Sequence, residues 1–440
     1  MKKEAGRDAR KFILCLVLIF IGALAIRGLV LWRSSPISFR GDELEYVSLA
    51  ETLLKEGRLV TTERKASVFQ GGKPGEPTAY RSPVLPVFLA AHYKIFGHSH
   101  AFPRLTLIFL SSTICIFLAV IGRCAGHSHA GLLASALWAV NPPSVVGDYS
   151  SDRLYSENLG VFFLIGGFTA LTLFYLKPGL RRITAAGLLL GIAVLSRGYL
   201  LFVLPVCAVF IYLFTGVKRW LYLSLFTLII SLVVGGWATR NYYVIGKLTL
   251  STATDHFYMG NNLWARGSFN GDFITLGYDA PQFKVIKDRY PNMNEMSEIE
   301  VSEMWSREAV RSITSDPMRF AWLLMRKSLV FWGPFQYWSY GSYKRPYLFS
   351  FMLIFALFAI IRSRDRHTRR LVMLFWIPTI SVFGAALLTY ASDRYRFVTE
   401  PCIFFLGAIG IIEAAGPFMK SRKNFDRPVG CQIEKCETEK

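Results

Sequence analysis

Two adjacent acids, Asp42 and Glu43, have side chains that could do chemistry beside a membrane. They follow Phe12–Trp32, an apolar run long enough to cross a bilayer. A carboxylate at that depth can take a proton from a nucleophilic hydroxyl group or bind a cation. The same pair could instead be the ordinary start of a surface helix, because acidic side chains are favourable in the first turn of a helix.

Other ionisable residues lie at the ends of apolar runs, at the depth where a lipid phosphate would lie. Guanidinium groups bind phosphate oxygens through paired hydrogen bonds, and a neighbouring acid could deprotonate an acceptor. The candidate phosphate-binding residues are Arg81, Arg197, Arg240, Arg394 and Arg396, and the candidate second acids are Asp152 and Glu157. Each of them alone is also consistent with a solvated or snorkelling side chain at a helix end.

The composition indicates that a membrane protein carries these residues. Of the 440 residues, 52% are hydrophobic, and the mean hydropathy is +0.35, which is too apolar for one soluble domain. The net charge of +20 comes from basic residues clustered in short loops between apolar runs. This positive-inside pattern indicates orientation and argues against a nucleic-acid partner. The seven cysteines do not form the pattern of a disulfide framework.

About ten apolar segments are predicted to be transmembrane helices. They cover approximately residues 12–32, 102–122, 130–147, 157–176, 183–198, 199–215, 220–240, 346–362, 370–390 and 398–416. With ten spans, all the basic loops fall on one side, which places both termini in the cytoplasm. The predicted fold class is an all-α polytopic membrane protein with outer-face juxtamembrane helices and a small mixed periplasmic domain.

The segments between the spans divide the chain into four predicted parts. Residues 1–240 form an N-terminal transmembrane module that includes the first outer loop, 33–101. Residues 241–345 form an outer loop domain, residues 346–418 carry the C-terminal transmembrane helices, and residues 419–440 form a cytoplasmic tail. Pro83–Phe96 is short for a span and Arg319–Phe335 has two basic residues near its middle, so both are predicted to lie in the membrane interface.

The order of several short motifs resembles that of a known enzyme family. The motifs are Gly41-Asp42-Glu43 with Tyr46 and Ala50, Tyr80-Arg81-Ser82-Pro83 leading to Phe96-Gly97, Ser156-Glu157, Ser196-Arg197, Trp237-Ala238-Thr239-Arg240-Asn241-Tyr242, Gly260-Asn261-Asn262, Arg394-Tyr395-Arg396 and Glu400-Pro401. In this order and topology, the chain resembles bacterial GT-C glycosyltransferases of the protein O-mannosyltransferase type (glycosyltransferase family 39). It is also similar to the related aminoarabinose transferases and Rgt-like galacturonosyltransferases.

The resemblance implies a membrane glycosyltransferase in the inner membrane of a bacterium, with its active site facing the periplasm. Asp42 would be the catalytic base, with Glu43 beside it, and the arginines would hold the phosphate of a polyprenyl-phosphate-linked sugar donor. The acceptor would be a lipid, a glycan or a protein, and the reaction would invert the anomeric carbon. Many relatives carry an aspartate where this chain has Glu157, so Glu157 and Asp152 are both candidates for a second acid.

Three alternatives stay open at this point. No cofactor is expected to be required, but Asp42, Glu43 and Glu157 could bind a divalent cation such as Mg²⁺ or Mn²⁺. A transporter or flippase for a lipid-linked anion would place charges at the centres of its spans and often has an inverted repeat, and neither is visible in the sequence. A polysaccharide ligase or polymerase would share the chemistry and much of the site.

Overall fold

The structure is a computed structural model that describes residues 2–34, 39, 41–62, 70–147, 150–268, 280–333, 336–337, 343–344 and 347–415. The predicted tail, 419–440, lies outside the described residues. The helices are α1 (Lys2–Arg33), α2 (Glu43–Glu56), α3 (Val84–Phe96), α4 (Ala101–Cys124), α5 (Ser128–Ala139), α6 (Pro142–Val145), α7 (Ser156–Leu176), α8 (Leu180–Ser196), α9 (Val203–Phe214), α10 (Arg219–Ile245), α11 (Asp255–Asn261), α12 (Pro281–Arg289), α13 (Glu298–Ser315), α14 (Pro317–Trp332), α15 (Tyr347–Arg362), α16 (Arg366–Leu388), α17 (Asp393–Phe397) and α18 (Glu400–Ala415). In the described ranges, three 3₁₀ turns cover Gly198–Phe202, Gly216–Lys218 and Met293–Glu295, and one antiparallel ladder pairs β1 (Gln336–Tyr337) with β2 (Tyr343–Lys344).

The predicted all-α membrane fold is confirmed, because each predicted span contains a helix. Among the described residues, five helical segments are long and apolar enough to cross a membrane by length and composition alone. They are Gly6–Arg33, Ala101–Cys124, Ser156–Leu176, Gly216–Ile245 and Arg366–Leu388. The helices in the other predicted spans are shorter than 18 residues, so the count of ten stays a prediction, as do the domain boundaries.

One predicted span is interrupted. The apolar run 130–147 was expected to be continuous, but α5 ends at Ala139 and the short α6 begins at Pro142. Proline has no N–H to donate and its ring clashes with the carbonyl one turn earlier, so the pair Pro142 and Pro143 ends a helix and can start a new one. The expectation of one helix through residue 147 is therefore wrong.

Glycines bring some of the apolar helices into close contact. A Cβ atom on Gly122 of α4 would lie 2.6 Å from the Cα of Gly131 on α5, and one on Gly410 of α18 would lie 2.0 Å from the carbonyl oxygen of Phe355 on α15. Small residues allow this close backbone approach, which is the usual way for helices to associate in lipid. The resulting bundle places the ends of α7, α8 and α16 next to the outer segments.

The outer segments lie against the ends of the spans through helix α11. A Cβ atom on Gly260 would lie 1.8 Å from the carbonyl oxygen of Thr389, so only glycine fits here. The neighbouring Asn261 donates a hydrogen bond to the carbonyl of Leu388 (2.7 Å) and accepts one from Lys327 Nζ (2.8 Å). The Gly260-Asn261 motif thus fixes the end of α16, and the chain leads from there to Arg394.

Candidate active site

Asp42 lies between two arginines from distant parts of the chain. Its Oδ1 accepts a hydrogen bond from an Nη of Arg81 (3.1 Å), and its Oδ2 accepts one from an Nη of Arg394 (2.8 Å). Asp42 is the N-cap of α2, yet its side chain makes no capping hydrogen bond, so both carboxylate oxygens face the arginines. The side chain retains about a fifth of its exposure (20%), so it can be reached from outside.

The turn that presents Asp42 requires a glycine. Gly41 has a φ of +54°, in the left-handed region that side chains disfavour. A Cβ atom at Gly41 would also lie 2.9 Å from the hydroxyl oxygen of Tyr155, the residue before α7. The first residue of the Gly41-Asp42-Glu43 motif therefore has a steric role, while the second carries the partly exposed carboxylate.

Arg394 connects Asp42 to a second carboxylate. Its Nε donates a short hydrogen bond to Oε1 of Glu157, and the same oxygen is 2.8 Å from an Nη of Arg197. Glu157 is fully buried in the first turn of α7, and its Oε2 has no hydrogen-bond partner among the described residues. Four predicted site residues thus form a continuous chain of ion pairs, in the order Asp42, Arg394, Glu157 and Arg197.

Glu45 is a further member of this cluster that the sequence analysis missed. Its Oε2 accepts a hydrogen bond from Nε of Arg81 (2.8 Å) and lies 2.7 Å from an Nη of the same residue. Residues three apart on a helix share a face, so Asp42 and Glu45 both reach Arg81. That spacing was a usable signal in the sequence. The cluster therefore pairs three carboxylates (Asp42, Glu45 and Glu157) with three arginines (Arg81, Arg197 and Arg394).

The two acids that share Arg81 differ in their pKa. Burial alone would raise the pKa of Asp42, but Arg81 and Arg394 outweigh burial and hold it below its ordinary value. Burial dominates at Glu45, whose pKa is raised above its ordinary value in spite of Arg81. Asp42 is therefore ionised at neutral pH, and Glu45 is more easily protonated than an ordinary glutamate.

Glu43, predicted as a catalytic residue beside Asp42, faces away from this cluster. Its Oε1 accepts a hydrogen bond from the N–H of Leu154 (2.9 Å) and lies 3.1 Å from an Nη of Arg104, and its Oε2 is 3.4 Å from an Nη of Arg153. Consecutive helix residues do not share a face, so the two adjacent acids diverge. Glu43 is fully buried, and its contacts join α2 to α4 and to the segment before α7.

Asp152, the other candidate second acid, is also outside the cluster. It is buried, its Oδ1 accepts a hydrogen bond from the hydroxyl of Ser150, and its carbonyl accepts one from Arg104. Asp152 thus belongs with the partners of Glu43. Of the two candidates, Glu157 is the acid that lies next to Arg394.

Two of the five predicted phosphate-binding arginines do not reach the cluster. Arg396 is buried, donates a hydrogen bond to the carbonyl of Phe331 (3.0 Å) and lies over the ring of Phe349. Its side chain diverges from that of Arg394 because residues two apart on a helix do not share a face. Arg240 donates a hydrogen bond to the carbonyl of Thr78 (2.9 Å).

Arg81 is positioned by the outer segment 241–345. Oε1 of Glu298, on α13, accepts hydrogen bonds from the N–H of Ala79 (2.9 Å) and the hydroxyl of Thr252 (2.6 Å). Its Oε2 accepts one from the amide of Gln70 (3.2 Å). Glu298 is buried, so these contacts fix the backbone two residues before Arg81. No local pattern in the sequence indicated that Glu298 would contribute to the site.

The proposed metal ligands do not converge. Glu43 contacts Arg104 and Arg153, whereas Asp42 and Glu157 are both directed at Arg394. Within the described part of the chain, no three His, Cys, Asp or Glu side chains are arranged as the ligands of a metal ion. The residues present therefore do not fit the divalent-cation alternative.

Solved structures identify the class of fold. The chain is similar to an Archaeoglobus fulgidus oligosaccharyltransferase tethered with an acceptor peptide, with 15% sequence identity, a TM-score of 0.57, and coverage of 94% of this chain and 51% of that chain. It is also similar to the oligosaccharyltransferase AglB from the same organism in complex with an inhibitory peptide and a dolichol-phosphate, with 15% identity, a TM-score of 0.54, and coverage of 92% and 50%. This chain therefore has the GT-C membrane fold and spans about half the length of these proteins.

The sequence gives a more specific relationship for part of the chain. Residues 80–237 match the family model of dolichyl-phosphate-mannose-protein mannosyltransferase. The match includes Arg81, Glu157 and Arg197 of the cluster but not Asp42, Glu45 or Arg394. None of the curated proteins matches the sequence. The predicted resemblance to GT-C glycosyltransferases of the mannosyltransferase type is confirmed by the fold and by this match.

Proposed function

We propose that this protein is a membrane glycosyltransferase that moves a sugar from a polyprenyl-phosphate donor to a hydroxyl group of an acceptor. The observation that carries the proposal is the position of the Asp42 carboxylate between Arg81 and Arg394. A partly exposed carboxylate that can accept a proton thus lies within hydrogen-bonding distance of two guanidinium groups that can bind phosphate. The dolichol-phosphate and the acceptor peptide bound to the archaeal relatives support a lipid-linked donor and a nucleophilic acceptor.

The reaction is a single displacement with inversion. Asp42 takes the proton of the acceptor hydroxyl as its oxygen bonds to the anomeric carbon. The bond from that carbon to the phosphate oxygen breaks, and its electron pair stays on the departing polyprenyl phosphate. The leaving group gains one negative charge, which Arg394, Arg81 and Arg197 can stabilise. The protein therefore needs no acid on the leaving-group side.

Donor binding would also change the strength of the base. Three carboxylates neutralise the three arginines in the free protein, so the donor phosphate competes with Asp42 for Arg81 and Arg394. When phosphate takes these hydrogen bonds, the main cause of the lowered Asp42 pKa is removed. The pKa of Asp42 then rises toward its ordinary value, and Asp42 becomes a better base because the donor is bound.

The position of the charges favours an enzyme over a transporter or flippase. Asp42, Arg81 and Arg394 lie outside the apolar helices, and Glu157 is in the first turn of α7. A transporter would place ionisable groups near the middle of its spans. A polysaccharide ligase or polymerase would use the same displacement and would differ in its acceptor. We place the cluster on the periplasmic face of a bacterial inner membrane, as the basic loops indicate.

Mass spectrometry of surface glycolipids and glycoproteins tests the proposal. Deleting the gene should remove one sugar from one class of acceptor, and the wild-type gene should restore it. A gene that encodes Asp42→Asn should make a membrane-inserted protein without restoring the sugar. An unchanged set of surface glycans after deletion would contradict the proposed function, as would full restoration by the Asp42→Asn gene.

A further inference from the structure

A large apolar groove runs along the surface of the helix bundle, away from the candidate active site. It has a volume of about 750 Å³ and lies between α15 and α16, with the last residue of α14 at its edge. Its lining residues are Trp332, Leu353, Leu357, Ile360, Arg369, Val372, Met373, Trp376 and Ile380. Leu357, Met373 and Ile380 each keep about half of their exposure, so the groove is open at the surface of the helix bundle.

The groove has one charged end. Arg369, in the first turns of α16, is the one charged lining residue, is exposed, and forms no ion pair with the described residues. The turn between α15 and α16 and the start of α16, residues 362–370, contain five arginines and one aspartate. That aspartate, Asp365, already accepts a hydrogen bond from the N–H of Thr368 (2.7 Å). The end of the groove therefore has a strong positive charge.

The length of the groove matches a lipid chain in one leaflet. Arg369 and Ile380 are eleven residues apart on α16, which corresponds to roughly 16 Å along the helix. The hydrocarbon core of a bilayer is about 30 Å thick, so one leaflet contributes about 15 Å.

We propose that this groove binds an anionic phospholipid, with its phosphodiester on Arg369 and one acyl chain along α16. Basic pockets between transmembrane helices are a recurrent way to bind such head groups. The sugar donor is a poorer fit, because Arg394, which would hold its phosphate, follows the opposite end of α16. The head group of the bound phospholipid lies on the membrane face away from the candidate active site. The proposal does not depend on the glycosyltransferase activity.

Native mass spectrometry of the full-length protein in detergent tests this site with two probes. Palmitoyl-oleoyl phosphatidylglycerol and the phosphatidylcholine with the same chains are added at equal concentrations. The wild type should retain phosphatidylglycerol preferentially. Arg369→Gln should reduce its occupancy by about fivefold, the effect of one basic residue at an anionic leaflet. The matched control is Arg364→Gln, in the same turn but not lining the groove, and it should leave occupancy nearly unchanged.

A second variant tests the groove itself. Leu357→Trp places a bulky side chain where the acyl chain would lie and should reduce retention of both lipids, whereas Ile354→Trp, on the exposed side of α15, should not. Equal retention of the two lipids would overturn the proposal. Equal losses in the Arg364→Gln and Arg369→Gln variants, or full retention in Leu357→Trp, would overturn it as well. Displacement of phosphatidylglycerol by an equal amount of polyprenyl phosphate would assign the groove to the donor instead.

Discussion

Asp42 and Arg394 are 352 residues apart in the chain, yet an Nη of Arg394 donates a hydrogen bond of 2.8 Å to Oδ2 of Asp42. This contact joins the first outer loop to the segment that follows α16. Because Arg394 also contacts Glu157, the free protein holds this proposed phosphate-binding group between two carboxylates. A donor phosphate that displaces these two carboxylates from Arg394 would then lie between residues from both ends of the chain.

Replacing Arg394 should weaken binding of the donor specifically. Arg394→Ala should raise the Kd for a polyprenyl-phosphate sugar by about tenfold or more, because a charge-assisted hydrogen bond to phosphate is lost. Arg394→Lys should recover only part of this affinity, since lysine cannot donate to two groups in a fixed plane. Arg396→Ala is the matched comparison and should mainly lower the thermal unfolding temperature. Equal donor affinity in Arg394→Ala and the wild type, measured by binding to the detergent-solubilised protein, would exclude this role.

Glu43→Gln should affect folding more than chemistry. The substitution leaves Arg104 and Arg153 without the buried charge that now faces them. Breaking a buried ion pair in this way typically costs about 3–5 kcal/mol, so the variant should unfold at a lower temperature. Transfer activity per folded molecule should stay within a few-fold of the wild type. A stable Glu43→Gln protein without activity would instead give Glu43 a catalytic role.

Donor affinity should depend on pH through Glu45. The pKa of Glu45 is raised, and its protonation leaves Arg81 with one carboxylate partner fewer. Donor affinity should therefore rise as the pH falls through this raised pKa and stay constant at higher pH. The pKa of Asp42 is lowered and that of a phosphodiester is low, so neither produces this change. Glu45→Gln, which is neutral at every pH, should bind the donor tightly and with little pH dependence.

The pH dependence of donor affinity can also show that Glu45 is not the group responsible. The charges around Glu45 are those of Arg81, Asp42 and Asp255. If Glu45→Gln shows the same pH dependence of donor affinity as the wild type, another group is responsible. The measurement is a set of donor titrations between about pH 5 and pH 8 on both proteins.

Glu298 should influence the site through Arg81 without touching the substrate. Glu298→Gln removes the charge that now accepts three hydrogen bonds, including the one from Ala79. The position of Arg81 then becomes less defined, so KM for the donor should rise several-fold while kcat changes less. Glu303→Gln on the same helix, where the acid is exposed and pairs with Lys247, is the control. A purely structural role would lower the amount of folded protein and leave KM unchanged.

The helices were more predictable than the site, for a physical reason. Apolar runs indicate spans directly. The helix predicted over 130–147 is interrupted after Ala139, just before Pro142, a residue that disfavours continuation of a helix. Asp42 and Glu157 were found because their types and positions at span ends suggested chemistry. Which neighbouring side chains face them depends on helix geometry. The three-residue spacing of Asp42 and Glu45 could have shown that Glu45 lies on the same face as Asp42.

Contacts between distant segments could not be predicted in the same way. Arg394 and Arg396 have the same side chain and almost the same position, yet one contacts Asp42 and the other the carbonyl of Phe331. The contact of Glu298 with Ala79 joins residues 219 positions apart. No local sequence pattern predicts such contacts, because they depend on how the segment 241–345 packs on the transmembrane helices.

The transfer rate of Asp42→Asn in proteoliposomes tests the central claim most directly. Asparagine keeps the shape of the side chain but cannot accept the proton of the acceptor hydroxyl group. With the donor and acceptor identified from the deletion strain, the variant should bind the donor and transfer sugar about 10²–10⁴ times more slowly than the wild type, the usual contribution of a general base. A transfer rate within a few-fold of the wild type would contradict the assignment of Asp42 as the catalytic base.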